Sequence, residues 1–448
     1  MHVCQRWRQL IFTSPCRLNL QLLCTRKTPA RKKLDCWPQI PIAIIVQGLG
    51  DLTPAQKKNL LTAFEHSDRV CSVTLSLTIR QLEKMTQMMR RPFPALTHLR
   101  VSFTPPFVGL FIYLPSGFLG GPISGLRELD VNHISPLTLP SIRSSTSDLV
   151  EFHLRDLLMD PLVYPEAMVA GLAVMTKLKT LTIDFDYYHA PHDSDPLALN
   201  FRARVILPTL TQFQFRGSRL YLEDFVAQLD TPWLFDLTVI LVARTTSDDP
   251  GVQEFPQLLQ FIDRAKDLKL AQFSRARAEI HVAHSIIHFD NPQTRQHPAR
   301  LNLGEVRYHG SRPLGAFLSQ AYAILSSVRN LSITPLHDRI IQNKYWHRTG
   351  LLRLLHPFDT VETLHVEGQF TDLFPPMLNS LSNELVAEVL PSLRLLNFEG
   401  KPLKSVQKLL VPFIEKRRFV GRPPLTIVRT REDFERLQTL SETEGGFS

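Results

Sequence analysis

Cysteine is scarce and poorly placed for a disulfide framework. Five cysteines (Cys4, Cys16, Cys24, Cys36, Cys71) all fall within the first 71 of 448 residues, the count is odd, and no Cys-x-x-Cys occurs. This argues against disulfide staples and a paired-thiol zinc site, and it suits a reducing compartment. Glycine is low as well, 19 residues against 33 prolines, so many connections must be stiff and extended. No long apolar run opens the chain, so no secretory leader is expected. The one long uncharged window, 101–126, is broken by Pro105, Pro106, Pro115, Pro122 and five glycines, which excludes a lipid-spanning helix. Catalytic signatures are missing too. There is no G-x-S-x-G or H-E-x-x-H, and the glycine-rich run Gly117 to Gly125 is not followed by Gly-Lys-Ser/Thr, so it reads as a turn between repeats rather than a phosphate loop.

What remains is the composition of an ordinary globular chain: 44% hydrophobic, 21% charged, mean hydropathy −0.06. The length fits two or three domains or one long repeat array. The formal charge of +9 is unevenly spread. Between Met1 and Gln39 lie Arg6, Arg8, Arg17, Arg26, Lys27, Arg31, Lys32 and Lys33 against Asp35 alone, which is +7 and leaves +2 for everything else. A neutral body with one basic arm is not the distribution of a nucleic-acid binder. An Arg-rich, acid-poor start is also what a mitochondrial presequence has. Arg26 to Lys33 reads as a solvated linker, with a nuclear import patch as the alternative.

One pattern recurs: apolar, two residues, apolar, one residue, apolar. It occurs as Val70-Val73-Leu75, Leu96-Leu99-Val101, Leu126-Leu129-Val131, Leu149-Phe152-Leu154, Leu178-Leu181-Ile183, Leu210-Phe213-Phe215 and Leu234-Leu237-Val239. It returns as Val328-Leu331-Ile333, Val361-Leu364-Val366 and Leu393-Leu396-Phe398. Weakened copies, Ala265-Leu268-Leu270 and Pro298-Leu301-Leu303, divide the gap of 94 between the two sets. About twelve units result, with a period of 23 to 33 residues, and L-x-x-L-x-L at that period is the leucine-rich-repeat signature. The Asn or Cys that usually follows is missing, so the array should be irregular.

Helical stretches lie between the cores. Thr53-Pro54-Ala55-Gln56 opens one, with Thr as N-cap, Pro at N1 and Gln at N3. Leu82, Met85 and Met89 share a face of another, and 225–229, 258–262, 317–325, 351–355, 385–390 and 406–414 read alike. Pro94, Pro208, Pro232 and Pro391 end several of them just before the next core. The expected fold is α/β: an irregular leucine-rich-repeat solenoid, its parallel sheet on the concave side and its helices outside. An ordinary doubly wound α/β protein is the alternative.

Several phrases resemble the F-box/leucine-rich-repeat proteins expanded in mushroom-forming fungi. They are Val3-Cys4-Gln5-Arg6-Trp7-Arg8 leading to Ser14-Pro15-Cys16-Arg17-Leu18-Asn19-Leu20, the run Leu114 to Gly121, and Pro165-Glu166-Ala167-Met168. Leu207 to Phe215 with Tyr221-Leu222-Glu223-Asp224, Leu355-His356-Pro357-Phe358 and Val389-Leu390-Pro391-Ser392-Leu393 complete the set. The resemblance implies that Val3, Cys4, Trp7, Leu10 and Ile11 are the remnant of the last F-box helix, which touches the Skp-type adaptor of an SCF-type cullin–RING ubiquitin ligase. This also accounts for the basic arm better than a presequence does. The Leu-Pro-x-Glu segment and the helix that usually come earlier are absent from this sequence, and with them most of the adaptor surface. The expected organisation is an F-box remnant at 1–13, a basic linker and first repeat entry at 14–39, the solenoid at 40–428, and a helical cap and tail at 429–448.

In that picture the chain selects a protein substrate, performs no chemistry itself and needs no cofactor. The residues alternating with the core would face the concave surface. They are His98, Arg100, Ser102; Glu128, Asp130, Asn132; Glu151, His153, Arg155; Thr180, Thr182, Asp184; Gln212, Gln214, Arg216; Thr363, His365, Glu367. This row is polar and of mixed sign, which suits a protein partner read by hydrogen bonds and charges, and equally a solvated sheet face. The remaining candidates read structurally. His281, His284 and His288 lie in a strand-like stretch that puts them on different faces. His189, His192, Asp193 and Asp195 sit in a Pro-containing loop. Asn330-Leu331-Ser332 is a formal glycosylation sequon whose Leu331 is a core residue. The expected function is substrate recognition for an SCF-type ligase; the alternative is a leucine-rich-repeat scaffold or degenerate copy without ligase docking. The expected location is cytoplasmic or nuclear, with neither nucleic acid nor membrane as a partner.

Overall fold

The computed structural model describes Gln5 and residues 22–428, except 37–39, 47–51, 79–80, 82–84, 86–88, 104–117, 121–124, 134–145, 158–163, 186–203, 244–253, 271–272, 281–283, 291–298, 308–312, 336–351, 353, 369 and 400–402. The chain divides into two compact units, Met1–Trp233 and Leu234–Ser448. Both are mixed α/β, with a large, mostly parallel sheet, and the described strands form no closed barrel.

The first unit carries β1 (Leu22–Thr25), β2 (Ile42–Val46), β3 (Val70–Leu77), β4 (His98–Phe103), β5 (Glu128–Asn132), β6 (Glu151–Leu157), β7 (Thr180–Phe185), β8 (Val205–Ile206), β9 (Gln212–Gly217) and β10 (Leu229–Asp230). Strands β1 to β7 and then β9 lie side by side in chain order, each parallel to the last, while β8 and β10 form a separate parallel pair. Its helices are α1 (Ala30–Cys36), α2 (Pro54–Glu65), α3 (Pro165–Leu172) and α4 (Arg219–Ala227).

Local chemistry places these elements. The expected cap of α2 is present in full: the Thr53 hydroxyl accepts from the Gln56 N–H at 3.3 Å and the Gln56 side chain accepts from the Thr53 N–H at 3.0 Å. Pro165 starts α3, and Ser218 caps α4 by accepting from the Tyr221 N–H. Threonines ahead of the strands tie consecutive repeats together. Thr97 donates to the Cys71 carbonyl, Thr209 to those of Thr176 and Leu178, and Thr211 to that of Lys179. The basic segment 26–33 leads into α1, and Lys27, Arg31, Lys32 and Lys33 are exposed on it.

The second unit carries β11 (Asp236–Ala243), β12 (Arg275–Ile280), β13 (His284–Asp290), β14 (Arg300–Arg307), β15 (Asn330–Pro335), β16 (Thr363–Val366), β17 (Leu395–Phe398) and β18 (Thr426–Val428). Its helices are α5 (Pro256–Arg264), α6 (Lys266–Leu270), α7 (Pro313–Gln320), α8 (Tyr322–Leu325), α9 (Phe370–Asn379), α10 (Asn383–Glu388) and α11 (Leu403–Phe419). The spatial order is β11-β14-β13-β12-β15-β16-β17-β18. Here the uniform parallel array gives way. Strand β13 runs antiparallel to both β12 and β14, while β14 is parallel to β11 and β12 is parallel to β15. The expected strand core Ala265-Leu268-Leu270 is not a strand, since 266–270 is α6. The strand that belongs there is β12, in which Ala276 and Ala278 are buried, with the buried Phe273 just ahead of it. They carry the same spacing, but alanine is too weakly apolar to stand out in sequence. The other weak copy holds: Leu301 and Leu303 are buried in β14.

All ten clear copies of the pattern place their three apolar residues in the core, none more than 5% exposed. Aromatic side chains from the helices join them, with Phe213 of β9 5.9 Å from Phe225 of α4 and Phe185 of β7 4.6 Å from Tyr221. Since no strand can bury this face alone, each depends on its neighbours for its hydrophobic stabilisation. The helical face predicted near 82–89 is seen in part: Gln81, Met85 and Met89 are buried, and Leu82 lies outside the described residues. At the glycine-rich turn, Gly120 has φ +68°, and an added Cβ would stand 2.3 Å from the Arg91 carbonyl carbon. Only glycine fits that approach. Among the described residues no helix is long and apolar enough to cross a membrane.

Candidate partner-binding face

Parallel register turns the predicted positions into continuous rows on the face opposite the core. In the first unit one row runs Thr74, Arg100, Asp130, His153, Thr182, Gln214 across β3 to β9. Beside it run Ser72, His98, Glu128, Glu151, Thr180 and Gln212. A third set, Ser102, Asn132, Arg155, Asp184 and Arg216, is interrupted by a bulge between Leu154 and Leu157.

The charges are arranged, not scattered. Asp130, its side chain 6% exposed, lies between two arginines: Arg100 Nε is 3.0 Å from Asp130 Oδ2 and Arg155 Nη2 is 3.7 Å from the same oxygen. Arg100 also reaches Glu128 Oε1 at 3.1 Å. Both guanidiniums remain about half exposed while sharing a covered carboxylate. Such a pair is oriented by the anion beneath and still offers donors outward, the geometry that reads carboxylates and carbonyls of a partner. Next along the row, His153 Nδ1 is 2.9 Å from Thr182 Oγ1 and His153 Nε2 is 3.6 Å from Glu151. Arg216 Nη1 is 3.6 Å from Asp184, and Thr180 donates to Gln212. At the bulge, Asn132 donates to Asp156 at 2.9 Å, with His133 Nε2 3.8 Å from the same oxygen. His133 and Asp156 both have positive φ, 57° and 47°, so the chain leaves ladder geometry there.

The second unit has its own row: Thr238, Asn302, His288, Arg277, Ser332, His365, Asn397. Asn302 bridges its neighbours, donating to Thr238 at 2.9 Å and lying 2.8 Å from His288 Nδ1. Glu279 sits between Arg277 at 3.3 Å and His288 at 3.6 Å. At the far end His365 Nε2 is 2.9 Å from Glu367 Oε1 and 3.5 Å from Glu399 Oε2. Donor atoms of these three residues lie within 4.8 Å of one another, the group among the described residues that could hold a metal ion.

The expected face residues therefore fall where alternation puts them, with Thr363, His365 and Glu367 in the second unit. Thr238, Asn302, Ser332, Asn397 and Glu399 obey the same rule beside the repeat cores named above, although they are not among the predicted face residues. Arg277, Glu279 and His288 do not, because their strands lie in the segment whose cores carry no clear apolar signal. His288 joins the row through its cross-strand partners rather than as part of a histidine triplet; His281 lies outside the described residues. So do Val3, Cys4, Trp7, Leu10 and Ile11, as well as His189, His192, Asp193 and Asp195.

Elsewhere in the molecule, titrating groups are shifted by burial. It pushes the Cys24 and Cys71 thiols up, and it raises Asp224, with Glu166 adding to the effect. Asp236 is raised by burial against a lowering from Arg300. Comparison with protein-family models and with curated proteins finds no match for this chain.

Proposed function

We propose that this chain is a leucine-rich-repeat protein that binds a protein partner on its polar sheet face and serves as a substrate-recognition subunit of an SCF-type ubiquitin ligase. The observation that supports partner binding is the Arg100–Asp130–Arg155 arrangement within an in-register polar row. Its guanidiniums are held in place by a shared carboxylate and remain half exposed. Binding at such a surface is governed by charge and hydrogen-bond complementarity. The ligase role rests on the resemblance of the quoted phrases, above all Val3 to Arg8, to F-box/leucine-rich-repeat proteins. A scaffold of the same fold without ligase docking is the second reading.

The test is co-purification of the chain with a Skp-type adaptor, alongside a second version in which a complete F-box is supplied ahead of Val3. Binding by the chain as it stands supports both the fold and the role. Binding by the completed version alone supports the role with an adaptor surface larger than Val3 to Ile11. Failure of both removes the ligase reading and leaves partner binding. That in turn is tested by the double charge reversal Arg100→Glu, Arg155→Glu, which should abolish capture of acidic peptides from a random peptide library while the fold is kept.

A further inference from the structure

At the far end of the second unit's polar row, chemistry converges that a protein-binding face does not need. Strand alternation puts His365 between Leu364 and Val366, both fully buried in the core, so its ring lies on the opposite face. Asn397 lies between Leu396 and Phe398 in the same manner and is the register partner of His365. Glu367 and Glu399 follow two residues later, each just past the end of its strand, and both carboxylates reach that face. The ladder continues through them: the Glu399 N–H donates to the Val366 carbonyl at 3.1 Å.

Two carboxylates thus close on one imidazole nitrogen, His365 Nε2, at 2.9 and 3.5 Å. The second observation is Asn397. It is 0% exposed, yet neither its Oδ1 nor its Nδ2 has a hydrogen-bond partner. A buried amide left without partners is destabilising and rare, so such a residue calls for an explanation. Its neighbour on the other side is Val428, which offers no polar side chain. The amide therefore borders the His365 cluster and nothing else in register that could serve it.

We propose that His365, Glu367 and Glu399, with the Asn397 carbonyl oxygen as fourth donor, form a binding site for one divalent transition-metal ion of the zinc type. One imidazole nitrogen and carboxylate oxygens are the donors zinc accepts, at about 2.0–2.2 Å, which sets tetrahedral donors about 3.4 Å apart. The 3.5 Å separation of His365 and Glu399 already matches; Glu367 needs only to open from its hydrogen bond. The ion would replace the proton between imidazole and carboxylate. Two carboxylates and a neutral ring balance its charge. The site would cross-link β16 to β17 just beyond their paired ends, acting as a clip on the sheet. This inference does not depend on the ligase or partner-binding reading.

The test uses the full, untagged chain, freed of metal by a chelator and titrated with Zn²⁺ by calorimetry and by competition with a chromogenic chelator. Co²⁺ serves as the spectroscopic probe. The expected result is one ion per chain, a rise in melting temperature, and a Co²⁺ visible spectrum of a low-symmetry site. Glu399→Gln, at a half-exposed position that folding does not require, should weaken binding at least about tenfold. Asn397→Leu should do the same while raising the stability of the metal-free chain. Absence of saturable one-to-one binding, or one-to-one binding that Glu399→Gln leaves unchanged, would overturn the proposal.

Discussion

Arg417 offers the sharpest test of how the second unit is held together. It lies on α11 and is 1% exposed, among the largest fully buried side chains in the protein. Among the described residues no carboxylate pairs with it. Its guanidinium instead donates to three carbonyls of the turn after α10: Leu390 at 3.1 Å, Leu393 at 2.8 Å and Pro391 at 3.4 Å. Its carbon centre is 5.8 Å from the Phe413 ring. Lys416 donates to the carbonyls of Asn379 and Leu381 beyond α9, and Arg422 donates to that of Ala387. Three cations thus collect the carbonyls that two short helices leave over at their C-terminal ends.

The balance can be worked for Arg417→Met, which keeps the aliphatic packing and removes the fork. The buried Leu393 carbonyl and the part-buried Pro391 carbonyl lose their donor at about 1–3 kcal/mol each, the Leu390 carbonyl keeps its bond from the Leu393 N–H, and the ring contact adds about 0.5–1 kcal/mol. Against this, burial first and Arg422 second pull the guanidinium down to about 10, so it remains charged at neutral pH but at a cost. A shift of that size corresponds to about 3 kcal/mol, which the substitution returns. The acceptors win, and the net loss should be about 1–3 kcal/mol. Native-state hydrogen exchange reads it locally. The Leu393 N–H, bonded to the Leu390 carbonyl, and the Val389 N–H, bonded to the Leu385 carbonyl, should exchange faster by the corresponding factor. Arg417→Lys should fall between, since one ammonium cannot span the Leu390 and Leu393 carbonyls together. A Met variant with undiminished protection would refute the reasoning: the cost of burying the cation would then equal all that its bonds return.

Other expectations follow from the same structure. Leu181→Asp or Leu364→Asp, each burying an unpaired charge, should cost about 4 kcal/mol or more and abolish soluble folding, whereas His98→Ala should move the melting temperature little, as differential scanning fluorimetry will show. Gly120→Ala should cost about 2–4 kcal/mol, since its Cβ meets backbone and its φ is positive; an unchanged urea midpoint would contradict this. For Asp236 the folded-state pKa is raised, so ionisation penalises the fold at neutral pH and the penalty fades as pH falls through that raised value. Asp236→Asn should therefore melt higher than the parent at pH 7, with the gap closing toward pH 4.

Much of the fold was readable because its stabilisation repeats. Each strand needs the same two inward side chains and one lead-in residue, so Leu178-Leu181-Ile183 announces itself as Leu393-Leu396-Phe398 does. The reversed segment hid for a physical reason. Alanines at Ala276 and Ala278 satisfy a tight core position without an apolar signal, while Leu268 on α6 copies the spacing of a strand. Strands β1 and β2 precede the first recognised core, with Leu22 and Cys24 supplying only a short alternation. The face was legible as positions and illegible as pairs. Alternation predicts that Arg100 and Asp130 point the same way; only the register makes them partners. That Asn397 is buried without a bond partner depends on its neighbours His365 and Val428 and on what shields it, none of which its own segment of sequence reveals.

The reversal in the second unit also bears on how the chain can be cut and rejoined. Three strands, β12 to β14, run as a meander, and three is odd. Two changes of direction cancel, so β15 leaves the segment with the polarity that β11 had on entering it. A two-strand hairpin in that place would have flipped every strand after it and carried the connecting helices to the other side. Parity makes the meander a removable cassette: excised whole, it would leave β11 and β15 pointing alike and free to pair directly, and the same holds when two consecutive strands are removed, because β12 and β14 both run with β11 and β15.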